Sequence, residues 1–294
     1  MSTIYTNISS NKNKTAFYIA IFLIFVIGIG WILSYIFNQY WILVIAVMVS
    51  VVQALVSYYW SDKIALSTTG AKQVSRSQAK ELHRIVENLA ITAGIPKPKV
   101  YIISDPAPNA FATGRDPNHA SVAVTTGLIE IMNKNELQAV LAHEMSHIGN
   151  YDIRLMTIVV VLVGLVVLIS DLFLRWNLWG RMSRDGNNQS GAVLMIVGLV
   201  LAIVAPIFAT LLQLAISRKR EFIADSDGIL LTRYPDGLIT ALKKLERYSR
   251  KMKRVNKATA HLFITNPFGA KNVRTWFSTH PPIEDRIKAL KGSM

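Results

Sequence analysis

Two histidines and a glutamate near the middle of the chain have the spacing of a metal-dependent hydrolytic site. His143 and His147 are four residues apart, and Glu144 follows the first of them. Residues 135–149 repeat apolar side chains at helical spacing, so both histidines project from one helix face, one turn apart. Two such imidazoles can bind one tetrahedral Zn²⁺ with room for a third protein ligand and a water, which Glu144 can reach as a general base. The alternative is a helix surface with two solvated histidines.

A second group of charged residues could complete this site from a distant part of the chain. Glu221 and Asp225 are also four residues apart and share a helix face. A carboxylate from Glu221 would complete a His₂Glu catalytic zinc set. Asp225 could accept the free ring N–H of a ligating histidine and so fix its tautomer. Without the histidine pair, a solvated charged helix start would be the preferred interpretation.

The composition is typical of a membrane protein. Of the 294 residues, 51% are hydrophobic and 17% are charged, whereas soluble domains contain roughly 25% charged residues. The chain has no cysteine, which excludes disulfides, thiolate zinc ligands and a cysteine nucleophile. We attribute the net charge of +14 to contact with the lipid bilayer and to the positive-inside bias, and we do not expect nucleic acid as a partner.

Four apolar runs predict four transmembrane helices. Residues 16–37 and 40–60 contain no charged residue, are separated by a very short turn and form a helical hairpin; each can cross roughly 30 Å of hydrocarbon. The third and fourth runs lie within residues 155–216, on either side of a short external loop at 175–191. All but three of the 32 Lys and Arg residues then lie on the side of the termini, which predicts that this side is cytoplasmic.

The first soluble part, residues 61–154, has the element order of an α+β domain. An amphipathic helix at 78–93 precedes three short strand candidates, and the His143 helix follows them. The strand candidates are residues 100–103, 109–114 and 121–126. A strand beside the metal cleft could hold an extended peptide by β-augmentation, although ordinary sheet core is an equally good interpretation of each strand.

The second soluble part, residues 217–294, carries Glu221 and a basic amphipathic helix at 237–251. The third span begins soon after His147, and the fourth ends just before Glu221. Antiparallel spans joined by a short loop bring both ends to the same membrane face. The sequence therefore predicts a catalytic domain in two parts, placed after an N-terminal tail and hairpin at 1–60 and divided by residues 155–216.

Four stretches of the sequence resemble the M48 family of membrane zinc metalloproteases. They are Asn109–Gly114, Leu141–His147, Ser217–Asp225 and Ser278–Ile283. Together with the four apolar runs, the resemblance covers nearly the whole chain. It implies four transmembrane helices joined to a zincin-like, mainly helical cytosolic domain with a small β-sheet, and one zinc ion per chain.

The resemblance also implies roles for individual residues. Glu221 would be the third zinc ligand beside His143 and His147. The strand that borders the substrate cleft would contribute Asn109, Ala110, Phe111 and Ala112. His280 would lie near the cleft, where it could stabilise the oxyanion of the tetrahedral intermediate; a purely structural histidine is an equally good interpretation.

Together these features predict a multi-pass zinc endopeptidase of the bacterial cytoplasmic membrane, with its active site on the cytosolic side. The resemblance implies a role in stress response and quality control, with misfolded or damaged membrane proteins as substrates. One alternative is a non-enzymatic, metal-stabilised membrane scaffold or chaperone, although such a structural site has no use for Glu144. A transporter or channel is less favoured, because the apolar runs contain almost no ionisable residues.

Overall fold

The computed structural model describes residues 4–159, 161–162, 164, 218–254, 259–269 and 281–292, with side chains from residue 8 onward. The predicted external loop, the fourth apolar run, most of the third and His280 lie outside these residues. The four-span arrangement and the domain boundaries that depend on it therefore stay predictions.

A helical hairpin begins the described chain. It consists of α1 (Ile4–Phe37) and α2 (Tyr40–Thr69), joined by a turn in which Asn38 is left-handed with φ of 51°. Two stretches, Ile8–Phe37 and Tyr40–Thr69, are long and apolar enough to cross a membrane. They contain the first two predicted spans.

Both helices of the hairpin continue beyond the apolar runs that predicted them. The polar start of α1 is helical from Ile4, and its Asn11 and Thr15 are buried. The end of α2 continues to Thr69 and buries Ser61 and Ala65. These helix ends contact the rest of the protein. Packing therefore stabilises helical structure in segments that composition alone indicates to be polar and outside the spans.

A four-stranded sheet follows the hairpin, with strand order β1-β2-β4-β3. The strands are β1 (Lys72–Gln73), β2 (Lys99–Ile103), β3 (Ala110–Gly114) and β4 (Ala120–Thr125). β2 and β4 are parallel, and β3 is an edge strand that pairs antiparallel with β4. The three predicted strands are confirmed, whereas β1 is too short to produce a sequence pattern.

Six further α-helices are described outside the hairpin and the helical residues 152–159, 161–162 and 164, together with two 3₁₀-helices at Pro117–His119 and Thr259–Leu262. The α-helices are α3 (Lys80–Ala93), α4 (Thr126–Ile131), α5 (Lys134–Gly149), α6 (Arg218–Thr232), α7 (Pro235–Arg247) and α8 (Ile283–Gly292). The predicted helices correspond to α3, α5, α6 and α7, while α4 and α8 were not predicted. The result is a mainly helical α+β fold with a small sheet.

The helix α5 lies at the centre of this domain. Its start is fixed by a capping box in which Asn133 and Glu136 satisfy each other's backbone N–H groups. The helix packs against α3, α6, α7 and β3, and its residues from Glu136 to Ile148 are almost all buried. A solvated helix surface is therefore not the setting of His143 and His147.

Candidate metal centre

His143 and His147 on α5 face Glu221 on α6. One ligand atom from each residue lies within 4.8 Å of the others. Nε2 of His143 is 3.7 Å from one oxygen of Glu221, and Nε2 of His147 is 3.6 Å from the other oxygen. Ligands about 2.1 Å from one tetrahedral zinc ion are separated by about 3.4 Å. The three side chains that the sequence predicts as metal ligands therefore converge on a space that fits a single ion.

A glycine allows α6 to approach α5 closely enough for this convergence. A Cβ atom at Gly228 would lie 3.1 Å from the backbone N of His143 and 3.2 Å from its Cα. Such contacts are tighter than ordinary packing, so a side chain at this position would require the helices to move apart by a few tenths of an ångström. Gly228 lies two turns after Glu221 and thereby sets the distance between this ligand and the histidines.

Each histidine is oriented by its own carboxylate. Nδ1 of His143 is 2.9 Å from an oxygen of Asp225, and Nδ1 of His147 is 3.0 Å from an oxygen of Asp152. A ring that donates from Nδ1 presents the lone pair of Nε2 to a metal, which is the arrangement found for metal-ligating histidines. The donor set therefore suits zinc in its chemistry as well as in its spacing.

Two of the residues that support the site were not found by sequence reasoning. Asp152 follows His147 by five residues, a spacing that no single helix face produces. Arg286, on α8, is fully buried and makes two hydrogen bonds to Asp225, from Nε at 2.8 Å and Nη2 at 2.6 Å. The only sequence signal for Arg286 is its place in a short charged segment after two prolines, and it does not identify a partner.

The buried charges shift the pKa values of the site residues. Burial lowers the pKa of His147, but the hydrogen bond that its ring donates to Asp152 and the charge of Glu221 outweigh this effect and raise the pKa to about 9. Burial also raises the pKa of Asp225, but Arg286 outweighs it and holds this pKa at about 2. The pocket therefore favours positive charge at His147, and a metal cation would displace a proton there.

Glu144 lies between the metal ligands and the edge strand β3. Burial raises the pKa of its carboxyl group, and the charges of His143 and His147 offset part of the increase. The backbone N–H of Ala112 donates a hydrogen bond to this carboxylate. The candidate base therefore contacts the strand beside the cleft directly.

The four predicted substrate-binding residues have different surroundings. The carbonyl of Ala110 accepts a hydrogen bond from the N–H of Ile264 at 3.0 Å. The side chain of Asn109 bonds to the backbone of Thr265. Phe111 is buried against another aromatic ring of the same C-terminal segment. Among the four, Ala112 is the residue whose backbone faces Glu144.

Comparisons with known proteins agree with this geometry. Residues 76–294 match Peptidase family M48. A Protease HtpX homolog from Caldanaerobacter subterraneus subsp. tengcongensis is 47% identical over 296 residues, covering 98% of this chain and 97% of the relative. Protease HtpX homologs from Thermoanaerobacter pseudethanolicus and Tropheryma whipplei are each 46% identical, again over 98% of this chain and 97% of the relative.

The fold is also similar to that of one solved structure. The crystal structure of S. mikatae Ste24p matches with a TM-score of 0.51 and 19% sequence identity, over 90% of this chain and 62% of that chain. At this identity the likeness concerns the fold alone. The family match and the similarity to the HtpX homologs confirm the resemblance that the four motifs indicated, and the chain belongs to peptidase family M48.

Proposed function

We propose that the chain is an integral-membrane zinc endopeptidase that hydrolyses peptide bonds of misfolded or damaged membrane proteins at the cytosolic face of the bacterial cytoplasmic membrane. The observation that carries the proposal is the convergence of His143, His147 and Glu221 beside the buried carboxyl group of Glu144. Membership of a peptidase family supplies the reaction class.

The metal would be held by His143, His147 and Glu221, with Asp225 orienting the first histidine. When bound in such a site, zinc acts as a Lewis acid that polarises the scissile carbonyl and lowers the pKa of a water toward about 7. The protein supplies three ligands, which leaves the fourth position of a tetrahedral ion for water or substrate.

Glu144 is the proposed general base. It would take the proton from the attacking water and return it to the leaving amine. Its raised pKa suits both steps, because a carboxyl group whose pKa lies nearer the working pH can hold the proton between them. The contact with the N–H of Ala112 keeps this carboxylate next to the strand on which we place the substrate.

The substrate would bind as an extended strand along β3. The carbonyl of Ala110 points away from β4, because it bonds to Ile264. In a strand, alternate residues direct their backbone groups to the same side, so those of Ala112 also point away from β4. Its N–H interacts with Glu144, which leaves its carbonyl to accept from a substrate. Backbone pairing of this kind is independent of substrate sequence, as degradation of damaged proteins requires. Asn109 and Phe111 would support the strand, and His280 would stabilise the oxyanion.

The site and the membrane are close together in this proposal. The polar end of α1 contacts the turn after α5, so the catalytic domain lies at one end of the apolar hairpin. Large apolar side chains on the hairpin are exposed, among them Trp31, Tyr35 and Trp41, as expected of helices surrounded by lipid. Two further spans between α5 and α6 would complete a four-helix membrane part.

Cleavage by purified protein tests the proposal. Detergent-solubilised wild type should cleave casein or a model membrane protein in a zinc-dependent manner, and Glu144→Gln should keep its zinc but lose cleavage. Glu130→Gln, an exposed change on α4, should behave as wild type. Cleavage retained in Glu144→Gln would refute the assignment of the base, and zinc-loaded wild type without activity on any membrane-protein substrate would refute the endopeptidase.

A further inference from the structure

The polar end of the first membrane helix reaches the metal centre. Asn11 on α1 is 4% exposed. Its side-chain Nδ2 donates to Oδ1 of Asp152 at 2.7 Å and to the backbone carbonyl of Asn150 at 2.9 Å. A buried amide that spends both donors on one short segment fixes the position of that segment.

Asp152 connects this amide to a metal-ligand candidate. Its Oδ1 accepts from Asn11, while its Oδ2 is 3.0 Å from Nδ1 of His147. The guanidinium of Arg220 also approaches this oxygen, with its Nη1 3.6 Å from Oδ1. Asp152 itself is 3% exposed. One carboxylate oxygen is thus held by α1, and the other orients the imidazole.

The backbone between these residues has an unusual conformation. Tyr151 has a φ of 60°, a left-handed value that a residue with a large side chain rarely adopts. This turn brings the side chain of Asp152 back to His147, which a continued α-helix would not do at this spacing. The ammonium of Lys12, next to Asn11 on α1, lies 4.5 Å from the centre of the Tyr151 ring. α1 therefore contacts the turn at two places.

We infer that Asp152 is a positioning residue for His147 and that Asn11 holds Asp152 in place, so that zinc affinity depends on the packing of α1 against the catalytic domain. The inference rests on the proposed function in that the pocket must bind zinc. If α1 is not packed, the carboxylate loses its fixed orientation, and the imidazole loses the partner that sets its tautomer. A chain whose α1 is not packed against the catalytic domain would then bind zinc weakly.

Zinc affinity of the full-length protein tests this coupling. All variants are made with Glu144→Gln so that self-cleavage cannot interfere, and affinity is measured by competition with a chelator. Asp152→Ala should weaken zinc binding about 10- to 100-fold, the usual effect of removing a partner of a ligating histidine. Asn11→Leu, which keeps the volume but removes both donated hydrogen bonds, should weaken it about 3- to 10-fold. The effect is smaller than that of Asp152→Ala because the carboxylate stays beside the imidazole and loses only one of the groups that hold it.

A double substitution separates positioning from general stability. Because Asn11 acts through Asp152, adding Asn11→Leu to Asp152→Ala should cost little further zinc affinity. A merely structural Asn11 would lower the melting temperature in both backgrounds without changing zinc affinity. Thr15→Val is the matched control. Thr15 is buried one turn further along α1, and its hydroxyl donates to the backbone carbonyl of Asn11 within that helix and not to Asp152.

The outcomes distinguish this inference from the proposed function. Wild-type zinc affinity in Asn11→Leu overturns the role of α1, and wild-type affinity in Asp152→Ala overturns the role of Asp152. Either result leaves the proposed function standing as long as the wild-type protein shows zinc-dependent cleavage. If the parent Glu144→Gln protein binds no zinc, both this inference and the proposed function are refuted. Should Asp152→Ala not fold, Asn11→Leu beside Thr15→Val decides alone.

Discussion

At the scale of single residues, the candidate metal centre depends on one buried cation. Arg286 is fully buried and forms two hydrogen bonds to Asp225, which in turn contacts Nδ1 of His143. The carboxylate can stay ionised in this buried position because the guanidinium neutralises it. Both the orientation of His143 and the stability of the core around it therefore depend on a residue of the distant helix α8.

Replacing this cation should destabilise the protein. Arg286→Met keeps most of the side-chain volume but leaves Asp225 buried without its partner, a loss that costs about 3–5 kcal/mol in free energy of unfolding. Arg286→Lys should recover part of it, because a lysine restores the charge but not the paired geometry. Denaturant unfolding of zinc-free protein measures the effect. Lys288→Met, an exposed change on the same helix, is the control, and equal stability of the two Met variants would contradict the argument.

The sequence identified those site residues whose spacing repeats the helical period. His143 and His147 are four apart, as are Glu221 and Asp225, so each pair could be assigned to one helix face. Asp152 could not be found in this way, because its contact depends on the left-handed Tyr151. Contacts of this kind depend on tertiary packing and leave no periodic pattern in the chain.

At the scale of elements, the distance between α5 and α6 decides whether the ligands can meet. The two helices approach closely at Gly228, where the backbone of His143 lies opposite. The same rule explains which elements could be predicted. Periodic runs gave α3, α5 and the three longer strands. By contrast, the helical start of α1 is polar and is stabilised by contacts with the turn after α5.

A methyl group at this crossing should therefore loosen the metal site. In Gly228→Ala the new Cβ would force α5 and α6 apart, which costs about 1–3 kcal/mol in stability and moves Glu221 away from the two histidines. Zinc affinity should fall together with the melting temperature. Gly149→Ala is the control at the end of α5, where a Cβ would meet no atom within 4 Å. Unchanged zinc binding in Gly228→Ala would show that α6 can shift without moving its ligand.

At the scale of the whole molecule, two contacts constrain the arrangement in the membrane. His143 on α5 lies against Glu221 on α6, so the chain between them must return to the side from which it left and can cross the bilayer only an even number of times. Asn11 at the start of α1 lies against Asp152, so the same holds for the hairpin. Both contacts agree with four spans and with a catalytic domain on one face.

The absence of native cysteine allows this arrangement to be tested directly. Single cysteines at Ser77 and Ser226, both exposed on described parts of the catalytic domain, and at Ser183 in the predicted external loop would each be the only thiol of the chain. A membrane-impermeant maleimide applied to intact cells should label Ser183→Cys alone, because the positive-inside bias places the other two in the cytoplasm. After the cells are opened, Ser77→Cys and Ser226→Cys should react as well. Labelling of either of these in intact cells would reverse the proposed sidedness, and protection of Ser183→Cys until lysis would indicate that the segment between α5 and α6 does not cross the membrane.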